Sequence, residues 1–375
     1  MHIGFDAKRA FLNNTGLGNY SRWLISALAT QYPKHQYTLY TPSTKNNQHL
    51  TDLQQLRNIR IVKPSGPLPA AWWRTTGIIR YLQKDKVDIY HGLSHELPLG
   101  IKKSGVKSVL TVHDLIFLRF PQYYKWIDRL IYQAKIKYAC KAADRIIAVS
   151  EKTKGDLIEL LQVDASKIEV IYQDCDPAFK LHQSEAQKTL VRKKYNLPKR
   201  FILSVGTIEE RKNLMLLIKA LPHTRGNEHL FVVGRPKAYF EEVKKYIADH
   251  HLADRVTFLH EVTFQELPVF YQMATVFVYP SRYEGFGIPI LEALYSGVPV
   301  IAATGSCLEE AGGPHSLYVD PDDEIDLAKK LNKVWNSPAL RQEMMLKGFE
   351  YCYNFSNEKL AAQLMQVYQK TLSHA

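Results

Sequence analysis

Four cysteines in 375 residues, Cys140, Cys175, Cys307 and Cys352, are too few and too scattered to staple a fold or to build a thiolate metal site. No CxxC pair occurs and no histidine stands at ligand spacing from any of them, so they read as reduced thiols of a cytoplasmic protein, most of them in the core. No apolar run is fit to cross a bilayer, because the richest stretch, Gly287 to Ala303, is interrupted by Glu292 and by prolines and glycines. The first residues enter a strand-like run at once (His2-Ile3-Gly4-Phe5-Asp6) and lack the zones of a signal peptide, so secretion is not expected. The phosphate loop GxxxxGK[ST] is missing. Without it ATP hydrolysis of the P-loop type is not supported, and the dinucleotide pattern GxGxxG is not completed, because Ser21 stands at its third glycine position.

What is present is an ordinary globular composition, 46% apolar and 23% charged, which argues against disorder. The length exceeds what one hydrophobic core usually sustains and predicts two domains. The charge of +12 is unevenly placed: residues 1–180 carry 26 Lys/Arg against 15 Asp/Glu, and residues 181–375 carry 23 against 22. A one-sided positive field suits an anionic partner such as an acidic lipid surface, a phospholipid-linked acceptor or nucleic acid; a generally basic, solvated surface is the plain alternative.

Short β-branched or aromatic runs alternate with helical patterns along the chain. In the first half the strand candidates are 3–6, 37–40, 59–62, 88–91, 108–113, 145–149 and 168–171. A polar, weakly periodic stretch over 173–200 follows, and the pattern restarts at 201–205, 230–234, 256–259, 276–279 and 298–302. This alternation predicts two α/β domains in tandem, each a parallel sheet with helices on both faces, joined near 175–200. Domain bounds are expected at 1–180 and 181–355. At the end, Ser356 or Asn357 caps a helix whose apolar positions Leu360, Leu364, Val367, Tyr368 and Leu372 share one face.

Ligands of open parallel sheets lie beyond the carboxyl ends of the strands, and four positions there carry chemistry. Asn13 to Tyr20 reads as a turn before the first helix, where Gly16 and Gly18 let backbone approach a phosphate; a plain tight turn explains it equally. His113 ends an apolar strand, where an imidazole can donate to a sugar hydroxyl or serve structure alone. Gly206 to Leu214 brings Arg211 and Lys212 to the start of a helix, placed to neutralise a diphosphate or simply to be solvated. Tyr283 to Ala293 combines the Gly285-Phe286-Gly287 loop, whose amides face an anion, with Pro289 and Glu292 in the first turn of a helix. Glu284 stands across the loop from Glu292, so that the two carboxylates flank one ligand.

Glu284 and Glu292 form an E-x7-E pattern, and with it the chain resembles the family 4 retaining glycosyltransferases. The match includes Arg211-Lys212-Asn213, His113, Gly16 to Gly18, Gly297-Val298-Pro299-Val300, Leu308 to Gly313 and Val319-Asp320-Pro321, in the family's order. The resemblance implies the GT-B fold, two Rossmann-like lobes facing across a cleft, with the helix of 356–375 crossing back to the first, acceptor-side lobe. It implies that Glu292 holds the ribose, that Arg211 and Lys212 bind the diphosphate, and that Glu284 with the amides of Gly285, Phe286 and Gly287 holds the transferred sugar. His113 would meet that sugar from the other lobe, Gly16 and Gly18 would admit phosphate or acceptor, and Gly206 would belong to the donor site. Thr15 departs from the family, where many members have a further glycine, and this puts the loop's part in acceptor placement in doubt.

The implied activity is transfer of a hexose, with mannose from GDP-mannose as the guess, to a glycan or lipid-linked acceptor of the cell surface, with retention and with no metal or other cofactor. Charge building on the diphosphate is met by fixed cations and amides, and the leaving phosphate takes the acceptor's proton. The carboxylates are not the acid and nucleophile of a glycosidase. Two other readings remain: a nucleotide-sugar epimerase of the same fold, and a nucleic-acid-binding protein, for which no module is recognisable. The aromatic and basic stretch Pro121 to Lys141, with Trp72-Trp73-Arg74, fits either contact with an anionic membrane from the cytoplasmic side or a packed core.

Overall fold

The strand-forming runs are apolar along nearly their whole length, as parallel strands covered by helices on both faces require. A computed structural model, describing residues 1–13, 16–44, 53, 55–65 and 69–373, arranges them in two parallel sheets. The chain divides into one unit of Met1–Asp174 with Phe355–Ala375 and a second of Cys175–Asn354.

In the first domain β1 (His2–Asp6), β2 (Gln36–Tyr40), β3 (Ile59–Val62), β4 (Ile89–Gly92), β5 (Lys107–Val112), β6 (Arg145–Ala148) and β7 (Ile168–Val170) lie in the order β3-β2-β1-β4-β5-β6-β7. Ile3 is in register with both Tyr37 and Ile89, and Val109 with Arg145. One side of the sheet is packed around Trp73, Ile78, Leu82, Leu110 and Ile146.

The second domain repeats the plan with β8 (Ile202–Val205), β9 (Leu230–Val233), β10 (Val256–Leu259), β11 (Val276–Tyr279), β12 (Val300–Ala303) and β13 (Leu317–Val319), ordered β10-β9-β8-β11-β12-β13. Leu203 is in register with Phe231 and Val278 with Ile301. Its core gathers Leu217, Leu230, Val276, Ile301 and Leu331. The strand order reverses between β1 and β4 in one sheet and between β8 and β11 in the other. At those two switch points the loops leaving neighbouring strands part and open a crevice.

Three local readings are corrected. The stretch 173–200 contains a helix, Glu185–Tyr195, closed by a capping box in which Ser184 and Gln187 satisfy each other's backbone. Only Val191 of that helix is buried, so it lacks the apolar stripe by which helices are recognised. Strand β13 has three residues, too few to show a period. Gly16 and Gly18 lie in a helix, Gly16–Gln31, rather than in a turn, and a short helix, Lys8–Leu12, precedes it.

The helix Asn357–Ser373 belongs to the first domain. Leu360, Leu364, Val367 and Tyr368 are buried, and the Tyr368 hydroxyl is 2.7 Å from Nδ1 of His91 at the end of β4. At its start the Trp23 indole donates to Asn357 Oδ1 over 2.5 Å.

Candidate active site

The switch point of the second sheet carries a dense ionic cluster. Beyond β8 the chain passes Gly206, whose carbonyl sits so close to Gly234 that a Cβ there would lie 1.8 Å from it. Glu210–Lys212 then make a single turn, and Asn213, at φ +55°, feeds the helix Leu214–Ala220. Asn213 Nδ2 donates to the Pro321 carbonyl at 2.7 Å. This turn aims Arg211 and Lys212 at the end of β11.

There Glu284 receives them. Its Oε1 lies 2.5 Å from Lys212 Nζ and 2.8 Å from Arg211, and accepts from Ser281 at 2.7 Å and from Tyr279 at 3.0 Å. Lys212 also donates to the Tyr279 hydroxyl, and Arg211 to the Tyr283 carbonyl and, at 2.7 Å, to Glu209, which is paired with Lys237. Burial alone would raise the Glu284 carboxyl. Lys212 and Arg211 outweigh it and hold the group at about 2, so it stays ionised. Burial pulls Lys212 below its ordinary value even with Glu284 beside it; for Arg211 burial is again the largest single influence, but Glu284, Tyr279 and Glu209 together outweigh it and leave the group raised. Three cations face two carboxylates, leaving one positive charge in excess.

Glu292 lives in the opposite environment. Its helix, Ile288–Tyr295, starts after Gly287 (φ +114°) with Pro289 in the first turn. At 3.6 residues per turn Glu292 falls in the second turn, correcting its expected place in the first. Its Oε2 accepts from Tyr271 at 2.9 Å. Burial, with a smaller push from Asp176, overcomes that hydrogen bond and lifts the carboxyl to about 7. One carboxylate of the pair is therefore fixed as an anion, and the other is poised between its two forms at neutral pH.

Between them the Cys307 thiol donates to the carbonyls of Glu284 and Phe286, each at 3.1 Å, and so fixes the turn through Gly285. The Phe286 ring is buried, so that residue offers a ligand its main chain rather than its ring.

In the first domain His113 follows β5 directly and is buried. Its Nε2 is 2.9 Å from the Leu93 carbonyl, which can only accept, so Nε2 carries the proton. Burial, then His95, push the ring well below the ordinary histidine value and keep it neutral. Nδ1 is left as an acceptor, which reverses the donor role expected of this side chain. The His113 amide donates to Nε2 of His95 at 2.7 Å, and the Tyr20 ring stands edge-on at 4.6 Å. A Cβ on Gly18 would lie 1.8 Å from the Asn13 carbonyl, whereas one on Gly16 would meet nothing within 4 Å. Gly18 thus permits a backbone contact. Asn14 and Thr15 lie outside the described residues.

Sequence reasoning missed Tyr279, Ser281, Tyr271, Cys307 and His95. Tyr279 and Ser281 had a signal, since both sit at the carboxyl end of an apolar strand beside Glu284. Tyr271 lies in an apolar helix and reads as core. His95 is betrayed only by its φ of +62°, which no sequence shows.

Two parallel-sheet domains of this topology are the GT-B architecture of glycosyltransferases, and a crystal structure of Anabaena HepE in complex with UDP superposes with a TM-score of 0.75 at 16% identity, covering 98% of this chain and 99% of that one. The model for glycosyl transferases group 1 matches residues 187–350, and that for glycosyltransferase family 4 matches residues 15–178. The chain belongs to the family 4 glycosyltransferases. It is 28% identical to O-antigen chain mannosyltransferase B of Escherichia coli, over 95% of this chain and 96% of that protein. It is 29% identical to O-antigen chain mannosyltransferase RfbU of Salmonella typhimurium, over 77% of this chain and 75% of that protein.

Proposed function

We propose that this glycosyltransferase moves a hexose, mannose from GDP-mannose, onto a glycan or lipid-linked acceptor in cell-surface polysaccharide synthesis, with retention and without a metal ion. The observation that carries this reading is the Arg211–Lys212–Glu284 cluster at the switch point of the second sheet, with its single excess positive charge. A nucleotide diphosphate entering there meets cations already desolvated and fixed, which favours the charge that grows on it as the sugar leaves. Glu284 then accepts hydroxyls of the sugar, and Glu292 those of the ribose. The C1–phosphate bond breaks, the acceptor oxygen bonds to C1 on the same face, and its proton passes to the leaving phosphate. In the first domain, Nδ1 of His113 is an acceptor suited to a hydroxyl.

The names of the O-antigen relatives support mannose as the sugar. Membrane contact is supported by the helix Trp126–Ala142, where Trp126, Ile127, Leu130 and Ile131 are exposed on adjoining positions beside Lys125 and Arg129. We place the protein on the cytoplasmic face of the membrane, held at its surface.

Calorimetry of GDP, UDP, ADP and their sugars in metal-free buffer tests the donor site. One nucleotide should bind the wild type, and Arg211→Ala and Glu292→Ala should each weaken it tenfold or more. Equal binding by the variants would remove the site, and a product of inverted configuration by NMR would remove retention.

A further inference from the structure

Arg211 is held from two sides. Its Nη1 lies 2.8 Å from Glu284 Oε1, while its Nη2 donates to Glu209 Oε1 at 2.7 Å. The other oxygen of Glu209 takes Lys237, from the loop that leaves β9. The backbone sets up this meeting: the Ile208 amide donates to the Arg235 carbonyl at 2.9 Å and the Lys237 amide to the Ile208 carbonyl at 3.2 Å, so the two loops run side by side. Exposure falls inward, from 60% at Lys237 through 20% at Glu209 to 14% at Arg211 and 12% at Glu284. Glu209 is thus the outer carboxylate, between the buried cations and solvent.

We propose that Glu209 is a built-in competitor of the diphosphate: it holds Arg211 and Lys237 as a phosphate oxygen would, yields them when the nucleotide binds, and hastens release of the nucleoside diphosphate product. The proposal rests on the transferase reading above. It adds a residue that sets how long product stays and a third phosphate-binding cation, Lys237.

A carboxylate and a phosphate ask for the same charge-assisted hydrogen bonds, and a donor engaged by one is not open to the other. Glu284 cannot take this part, because Lys212, Arg211, Ser281 and Tyr279 all converge on its Oε1 and its departure would strand buried cations. Glu209 has two partners among the described residues, both cations, and its pair with exposed Lys237 is worth little in water. Burial would raise its carboxyl, but Lys237, Arg211 and Lys212 outweigh it and keep the group below its ordinary value, so the competitor is charged at neutral pH. Once the sugar has left, the terminal phosphate carries up to about one more negative charge, so repulsion by Glu209 falls more heavily on product than on donor. A residue that only steadied Arg211 for the ligand would act with the opposite sign, since its loss would weaken binding.

The test is calorimetry and stopped-flow displacement of GDP, UDP and ADP on the full chain in metal-free buffer. Glu209→Gln should tighten the nucleotide that the wild type binds by about fivefold or more and slow its dissociation to match. Glu209→Ala should act with the same sign. Glu210, next in the chain, lines a different cavity with Tyr239 and Arg282, and Glu210→Gln should leave affinity unchanged. Lys237→Met should weaken binding both in the wild type and in the Glu209→Gln background, where only a direct phosphate contact can account for the loss. The proposal is overturned if both Glu209 variants weaken binding or leave it unaltered, if Glu210→Gln tightens it as much, or if Lys237→Met has no effect once Glu209 is replaced. Each of these results leaves the transferase reading standing, whereas a wild type that binds none of the three nucleotides overturns both.

Discussion

The two glutamates of the E-x7-E pattern differ in charge because of what folds around them. Glu292, lifted to about 7, favours the protonated native state, so the stability it gives is whole below the ordinary carboxylate value and is lost as pH rises through 7. The Glu292→Gln variant should escape that loss and be more stable than wild type at pH 8 by about 2–3 kcal/mol, with no gain at pH 4, as read by urea denaturation. If the ribose hydroxyls need an ionised acceptor, nucleotide affinity should rise from pH 6 to pH 8 in the wild type and stay flat in Glu292→Gln. Glu284 has the opposite sign: its carboxyl, at about 2, gives stability above the ordinary carboxylate range that disappears only in strong acid. Glu284→Gln strands Arg211 and Lys212 together in a buried place and should cost about 3–5 kcal/mol at pH 7, part of it regained in Lys212→Met/Glu284→Gln.

At the scale of elements, Gly18 and Gly16 make a controlled pair. A side chain at Gly18 collides with the Asn13 carbonyl, and one at Gly16 meets open space. Gly18→Ala should lower the thermal midpoint by several degrees, whereas Gly16→Ala should leave it unchanged or raised, since alanine favours the helix. The helix Trp126–Ala142 carries a second prediction. Replacing Ile127, Leu130 and Ile131 by serine should abolish sedimentation with anionic vesicles and leave the fold unaffected, because all three are exposed. Retention on the vesicles, or wild-type binding only to neutral ones, would remove the membrane assignment. Trp72 is exposed as well, but Trp73 is buried and Arg74 is engaged by Asp6 and Glu96, so that second aromatic and basic pair does not face a membrane as a unit.

For the molecule as a whole, strands such as Val109–Val112 or Val276–Tyr279 were legible because a short apolar, β-branched run between turn signals suits a buried strand and little else. The short β13 and the polar helix Glu185–Tyr195 were not, since neither carries a period. The site was legible as residues and not as an arrangement. Arg211, Lys212 and Glu284 announce themselves by place and type, but that both cations share one carboxylate oxygen depends on strand order, which local pattern does not encode. The pairing of Glu209 with Lys237 was invisible for the same reason, since it joins the loops that leave two neighbouring strands.

The first domain is not continuous in the chain. The segment from Phe355 onward completes it, and Tyr368 supplies the Nδ1 partner of buried His91. A ribosome adding about 5–20 residues per second needs roughly 10–40 seconds to make the intervening Cys175–Asn354. During that interval the groove awaiting Leu360, Leu364 and Tyr368 stands open, and the second domain can finish before the first. The usual order of vectorial folding is thereby inverted, and the half-built first domain is the species a chaperone would meet.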